Sequence, residues 1–159
     1  MLTQEEAHRL WRYEDGRLYW RVKPSGNVKV GAEAGCVHGN GYREVSIDRR
    51  TYGVHRVVFL LFHGFMPSKI DHIDNDPLNN RVENLRVATH SSNGWNRKIG
   101  ASNSSGVKNV SLSKDGKWVV MVQRDKKQHY YGRYVDLAEA AKVAEKARLE
   151  LHGEYARHK

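Results

Sequence analysis

The stretch from Lys69 to Lys98, KIDHIDNDPLNNRVENLRVATHSSNGWNRK, constrains this chain more than any other part of it. It gathers Asp, His and Asn at a density that neither an apolar core nor an ordinary solvated surface requires. Asp71 and His72 are adjacent, Asn84 follows His72 by 12 residues, and Asn93 follows Asn84 by 9. The short apolar pieces Ile70 to Ile73 and Leu85 to Ala88 predict two strands of a small hairpin. Asn75 to Asn80, with Pro77 inside it, predicts the loop between them, and Ser91 to Arg97 predicts the opening of a helix.

These residue types suit one kind of chemistry. Cutting a phosphodiester needs a water deprotonated, the phosphate charge stabilised and the leaving oxygen neutralised. Imidazole is neutral in good part at pH 7 and can take the proton, which makes His72 the candidate base. A carboxylate and an amide can hold a hard cation such as Mg²⁺, which keeps few protein ligands, several waters and the phosphate itself. Asp71 and Asn93 fit that role. Adjacent strand residues point to opposite faces. Asp71 and His72 therefore share one site only if the backbone twists there, or if they address different sides of the phosphate.

The flanking sequence is patterned as small hairpins. Residues 3–12 predict a short helix with Thr3 as N-cap and Glu6 completing a capping box, Leu10 and Trp11 packing inward. Leu18 to Val22, Tyr42 to Ile47 and Thr51 to Val54 predict strands. Tyr13 to Gly16, Gly39 to Gly41 and Asp48 to Arg50 are the turns between them. His55 to His63 predicts a compact helix stopped by Gly64, with Val58, Leu61 and Phe62 in the core. His55 and His63 are candidate ligands, but on an apolar helix satisfied structural histidines are the ordinary reading.

After Lys98 the run Ile99 to Gly106 is small and polar, as a linker is. Beyond it Val107 to Leu112, Lys117 to Arg124 and Gln128 to Tyr134 predict three strands. Asp136 caps a helix from Leu137 to about Leu151, with Glu139 in the first turn. Ala140, Ala141, Ala144 and Ala147 suit close packing of that helix on the sheet.

Charge narrows the partner. The chain carries 27 Lys and Arg against 18 Asp and Glu, net +9, and residues 101–159 alone carry net +5. Such an excess favours a polyanion through counterion release. The single cysteine, Cys36, excludes an internal disulfide and any zinc site built on cysteine pairs. A reducing, intracellular (cytoplasmic) setting is the expectation. The N-terminus lacks the basic start and apolar run of a signal peptide, and no apolar run approaches membrane-spanning length.

Two parts of the chain resemble known families. Asp71 to Asn80, then Glu83-Asn84-Leu85-Arg86, then Ser92-Asn93-Gly94-Trp95-Asn96, resemble the HNH endonucleases of the phage homing and nicking type, whose last His is replaced by Asn. The likeness extends upstream through Val54 to Val57 and covers about residues 10–98. It implies a ββα-metal fold with His72 as general base and Asp71 and Asn93 as ligands of a single Mg²⁺ (or Mn²⁺). Asn84 would brace the loop and so orient His72 without touching the metal. His90, three residues before Asn93, is the second choice for the last ligand. Arg86 and Arg97 are candidates for phosphate contact or for a plain solvated role.

Gly106-Val107-Lys108-Asn109-Val110, Gly116-Lys117-Trp118-Val119, Tyr131 to Tyr134, Leu137 to Ala141 and Leu151 to Tyr155 resemble an AP2 domain. That family is a three-stranded antiparallel sheet backed by one helix, and it places the sheet in the major groove of DNA. Alternation turns Trp118, Val120 and Val122 toward the helix, and Lys117, Val119, Met121 and Gln123 away from it. Lys108, Lys117, Gln123, Arg124 and Tyr130 are the candidate DNA contacts. Val119, Met121 and Tyr130 depart from the plant pattern and make the outer surface partly apolar.

The expectation is an α+β chain of two modules. Residues 1–98 form an HNH nuclease domain with its ββα-metal core at about 54–98, residues 99–105 a linker, and residues 106–159 an AP2-like DNA-binding domain. Its substrate would be double-stranded DNA, with no membrane and no small-molecule cofactor, acting as a monomer or weak dimer in a bacterial or phage-infected cell. One base and one metal cut one strand per event, so a monomer would nick. The rival readings are a DNA-binding protein with a degenerate nuclease site, and an RNA-binding or RNA-processing module.

Overall fold

A computed structural model of the chain describes residues 2–24, 27–89, 99–100 and 103–156. They divide into two compact units, Met1–Ala88 and Thr89–Lys159.

The first unit starts with α1 (Gln4–Leu10). Its capping box forms: Glu6 N–H donates to Thr3 Oγ1 at 3.1 Å, and Thr3 N–H donates to Glu6 Oε2 at 2.9 Å. The helix ends at Leu10, two residues earlier than expected, because Trp11 is already extended and opens β1 (Trp11–Glu14). β1 pairs with β2 (Arg17–Trp20) through a two-residue turn, Asp15 and Gly16, both at positive φ. Trp11 lies opposite Trp20 in this register. A second sheet in the order β3 (Cys36–Val37), β4 (Arg43–Ile47), β5 (Arg50–Gly53) is antiparallel throughout. Asp48 and Arg49 at positive φ make the β4–β5 turn.

β5 runs straight into α2 (Val54–His63), the helix on which this unit is built. Val54, Val57, Val58, Phe59, Leu60 and Leu61 are buried, against Ala7, Leu10, Trp11, Leu18, Trp20, Ala34, Val45 and Leu85. Phe62, expected in the core, is instead 50% exposed and stands edge-on to Tyr13 at 4.9 Å. Helical spacing from Val54 and Val58 places Phe62 at the edge of the apolar stripe, and there it packs on Tyr13 and not in the core, whereas Phe59 and Leu60, farther round the helix, are covered by the rest of the unit. Gly64 stops the helix in the left-handed region, φ 78°, with its N–H on Leu60 O at 3.0 Å. Gln4 Nε2 donates to Leu61 O at 2.9 Å, so α1 also satisfies the end of α2.

The remaining elements of this unit are β6 (Ile70–His72), a 3₁₀ turn (Val82–Asn84) and β7 (Leu85–Val87). β6 and β7 are the expected antiparallel hairpin, with Ile70 opposite Val87, Asp71 opposite Arg86 and His72 opposite Leu85. The predicted helix from Ser91 to Arg97 lies outside the described residues.

The second unit is a three-stranded antiparallel sheet in the order β10 (Lys127–Tyr134), β9 (Trp118–Arg124), β8 (Val110–Leu112), with α3 (Leu137–His152) on one face. β8 starts later than expected. Asn109 is left-handed, and Ser105 Oγ, at 2.9 Å from Val107 O and 2.8 Å from Val110 O, holds residues 105–110 as a turn. Asp136 caps α3, its Oδ1 accepting from Glu139 N–H at 2.8 Å. Ala140, Ala144 and Ala147 are buried and Ala141 is half-buried, so the small-residue stripe faces the sheet. Val110 and Val120 fill the core beneath it.

Candidate functional site

The hairpin of β6 and β7 brings the polar constellation together. Asp71 and His72 are each 5% exposed, Asn80 2% and Asn84 9%. Four buried polar side chains in so short a span must each find a partner nearby, because an unpaired buried polar group costs about 1–3 kcal/mol.

Asn84 ties the loop shut. Its Oδ1 accepts from Asp74 N–H at 3.1 Å, and its Nδ2 donates to Asp74 Oδ1 at 2.9 Å and to Asn79 O at 2.8 Å. Ile73 N–H also reaches Asn84 O at 2.9 Å. Asp74 is the second knot, accepting from Asp76 N–H at 2.8 Å and from Asn79 Nδ2 at 2.6 Å. Burial pushes its carboxyl up, but the bonds from Asp76, Asn79 and Asn84 and the nearby His72 outweigh that and hold it below the ordinary value. Asn75 takes the left-handed turn this loop needs, φ 63°, and its N–H donates to His72 O at 2.9 Å.

His72 is fixed by groups from three directions. Its Nε2 is 3.0 Å from Asn80 Oδ1. The ring of His55, from α2, stands edge-on to it at 5.4 Å, and Tyr42 lies 6.0 Å away. Tyr42 and His55 also contact each other, at 5.3 Å. His55 is not the satisfied histidine expected from its apolar helix: its buried Nδ1 has no hydrogen-bond partner among the described residues. Burial foremost, then the neighbouring His72 and Arg56, lowers its pKa to about 4, so the ring is neutral at pH 7. Gly53 makes room for it, since a Cβ there would lie 2.5 Å from His55 Cε1.

Asp71 is held by a different partner. Arg86, directly across the hairpin, donates to Asp71 Oδ2 through Nε at 2.9 Å and Nη2 at 2.7 Å. Its guanidinium, a candidate phosphate contact, is thus set against the carboxylate, with 13% of its side chain exposed. A carboxylate oxygen on a short, paired strand is the kind of donor a hard cation takes. Among the described residues no three His, Cys, Asp or Glu side chains converge as a metal cluster. Asn93, His90 and Arg97 lie outside the described residues.

The sequence offered no reason to place Asn80 or Tyr42 at this site, and His55, a candidate ligand read more readily as structural, stands beside His72.

In the second unit Lys117, Gln123, Arg124 and Tyr130 are exposed and Lys108 is half-buried. Met121 lies opposite Tyr130, and Gln123 opposite Gln128. Val120 and Val122 are fully buried, so residues 121 and 123 are on the face away from α3.

Comparison with known proteins gives this geometry its class. A family model described as HNH endonuclease matches residues 52–95, which include the whole β6–β7 hairpin and its loop. "Protein 3.8" of Escherichia phage T7 is 45% identical over 89 residues, 55% of this chain and 73% of that protein. "Uncharacterized HNH endonuclease L560" of Acanthamoeba polyphaga mimivirus is 33% identical over 120 residues, 74% of this chain and 62% of that protein. No solved structure matches the chain significantly. The chain carries an HNH endonuclease domain over residues 52–95 and is a nuclease. Among the described residues no helix is long and apolar enough to cross a membrane.

Proposed function

We propose that this nuclease is a metal-dependent DNA endonuclease of the homing or nicking type, with one phosphodiester-cutting centre on the β6–β7 hairpin. The observation that carries the reading is the pairing on β6 of a buried carboxylate, Asp71, with a buried imidazole, His72, whose ring is oriented by Asn80. His72 takes the proton of the attacking water, which frees hydroxide for in-line attack on phosphorus. Asp71 and Asn93 (or His90 in its place) would hold a single Mg²⁺ or Mn²⁺. When bound, such an ion neutralises charge on the phosphate and on the 3′ leaving oxygen. Arg86 keeps Asp71 in place and compensates its charge within the protein. Asn84 braces the loop, and through Asn79 it fixes where Asn80 meets His72.

The second unit is read as an AP2-like anchor. Supporting that are the sheet order with one helix behind it, the exposed Lys117, Gln123, Arg124 and Tyr130, and the net +5 of residues 101–159. Lys108, with Arg97 from the neighbouring stretch, adds positive charge for phosphate contact.

The test is cleavage of supercoiled plasmid with Mg²⁺ and with EDTA, by the wild type and by His72→Ala. The expected result is nicked circles from the wild type with Mg²⁺ alone. Full cleavage by His72→Ala with DNA binding intact would remove His72 from the role of base.

A further inference from the structure

We infer that Asn80 is the positioning residue that fixes the tautomer of His72, so that Nδ1 is the nitrogen that receives the proton from water. The inference rests on the reading of His72 as general base and adds which atom acts and what sets it.

The argument starts from the amide of Asn80. Its two ends are not interchangeable here, because Asn80 Nδ2 lies 3.3 Å from Leu78 O, which can only accept. The nitrogen must face that carbonyl, since the reverse orientation would set two carbonyl oxygens against each other. Oδ1 is then the end that meets His72 Nε2 at 3.0 Å, and an amide oxygen can only accept. Nε2 must therefore carry the hydrogen in both charge states of the ring. A neutral imidazole has one N–H, so its lone pair sits on Nδ1.

Burial gives this bond its weight. Asn80 is 2% exposed and His72 5%, so water offers little competition for either group. The amide cannot drift, because Asn80 N–H is directed at Leu78 O at 3.1 Å and the preceding Asn79 O is clamped by Asn84 Nδ2 at 2.8 Å. The central Asn84 thus never meets the imidazole in this network. It acts on the backbone of residue 79, and Asn80 delivers the effect to the ring.

The proton balance follows. A water O–H bond breaks, its proton goes to His72 Nδ1, and the hydroxide electron pair forms the new bond to phosphorus as the bond to the 3′ oxygen breaks. The imidazolium so formed has N–H at both nitrogens. Its Nε2–H already points at Asn80 Oδ1, so the acceptor is in place before the charge appears. With the other tautomer the base nitrogen would be Nε2, turned toward Asn80 and away from any water.

The test has two readouts. The first is the ¹⁵N shifts of His72 in metal-free, full-length protein at a pH where the ring is neutral. The expected pattern is a protonated Nε2 and a bare Nδ1. The second uses Asn80→Leu, which removes the acceptor at similar size, and Asn80→Asp, which keeps one. Asn80→Leu is expected to draw the two shifts together and to lower kcat by about ten- to a hundred-fold, with KM and DNA affinity unchanged. Asn80→Asp is expected to recover most of that loss. A proton on Nδ1 in the wild type overturns the inference, and so does an Asn80→Leu variant that folds and cleaves as the wild type does. Should Asn80→Leu not fold, the wild-type shifts still decide the tautomer. Retained cleavage in His72→Ala removes the base assignment instead, and leaves the measured tautomer standing.

Discussion

The two units solve opposite problems with similar parts. The site hairpin has strands of three residues each, too short for ladder bonds to hold it, and it is stiffened by side chains. Asn84, Asp74, Asn79 and Asn80 bind backbone and one another around the loop between the strands. The second sheet pairs strands of seven and eight residues, with the three-residue β8 at its edge, and is held by that long ladder and an apolar inner face, its polar side chains left outside. The difference shows where chemistry can be stored. A buried polar network fixes the orientation of an imidazole, whereas an open sheet face offers charge without fixing any single group. The first arrangement suits bond cutting and the second suits holding a polyanion.

That contrast is broken most directly at His72. His72→Ala is expected to lower kcat by about 10²- to 10⁴-fold while DNA affinity stays near wild type. Alanine replacements on the sheet face should do the reverse, changing affinity and leaving single-turnover cleavage at saturating protein unchanged. Single-turnover rates beside fluorescence-anisotropy titrations check both halves.

A smaller effect separates two histidines whose pKa is lowered by burial, His55 near the site and His152 in the second unit. Burial lowers both pKa values, that of His55 to about 4 and that of His152 despite its bond to Gln123 O at 2.9 Å. Between pH 6.5 and about 4 the unfolded imidazole of His55 binds a proton that the folded one refuses. Stability must then fall as pH falls through that window and level off below it, by about 3 kcal/mol in all. The charged and titratable groups facing His55 are His72 and Arg56, with Tyr42 against its ring. His55→Leu should flatten this slope in urea unfolding at pH 5 against pH 7. His152 remains in both proteins, so the difference between the curves belongs to His55.

Next comes the loop brace. Asn84→Ala removes three side-chain hydrogen bonds and leaves Asp74 N–H and Asn79 O without those partners. At a net of about 1 kcal/mol each, the expected loss is about 2–3 kcal/mol. Gln123→Ala, on the exposed sheet face, should change stability by less than about 0.5 kcal/mol. Denaturant midpoints at one pH check the pair, and equal losses would erase the contrast between the units.

These expectations also show what could be read without coordinates. The second unit was legible because period-two alternation and a stripe of alanines state a sheet and a helix in local terms, down to Asp136 as cap. The hairpin was legible from Ile70 and Leu85 with Asx residues between. What failed was tertiary. Phe62 differs from Leu61 only by which side of α2 faces α1 and the sheets, and helical spacing alone does not set that edge. Nothing in the sequence pairs Arg86 with Asp71, because the pair follows from hairpin register. Asn80 looked like one more loop amide, since its partner sits eight residues away and a loop has no period to reveal it. The polar groups that do the local folding and those that orient the base are the same residue types, so only distance separates them.

The smallest effect concerns the sheet face itself. Lys117 is exposed, and no ion pair with a carboxylate engages it among the described residues. If it meets a phosphate, Lys117→Ala weakens binding to all duplexes alike and reduces the salt dependence of log Kd by about 0.9. Arg133 makes a useful partner for comparison, because its guanidinium already lies on Asp115 at 2.6 Å at the same end of the sheet. Its removal should change the slope by less, since that charge is partly neutralised before DNA arrives. Titrations of both variants between 50 and 200 mM salt read the two slopes. A sequence-dependent loss at Lys117 would instead mean that this sheet reads bases, which its apolar Val119 and Met121 argue against.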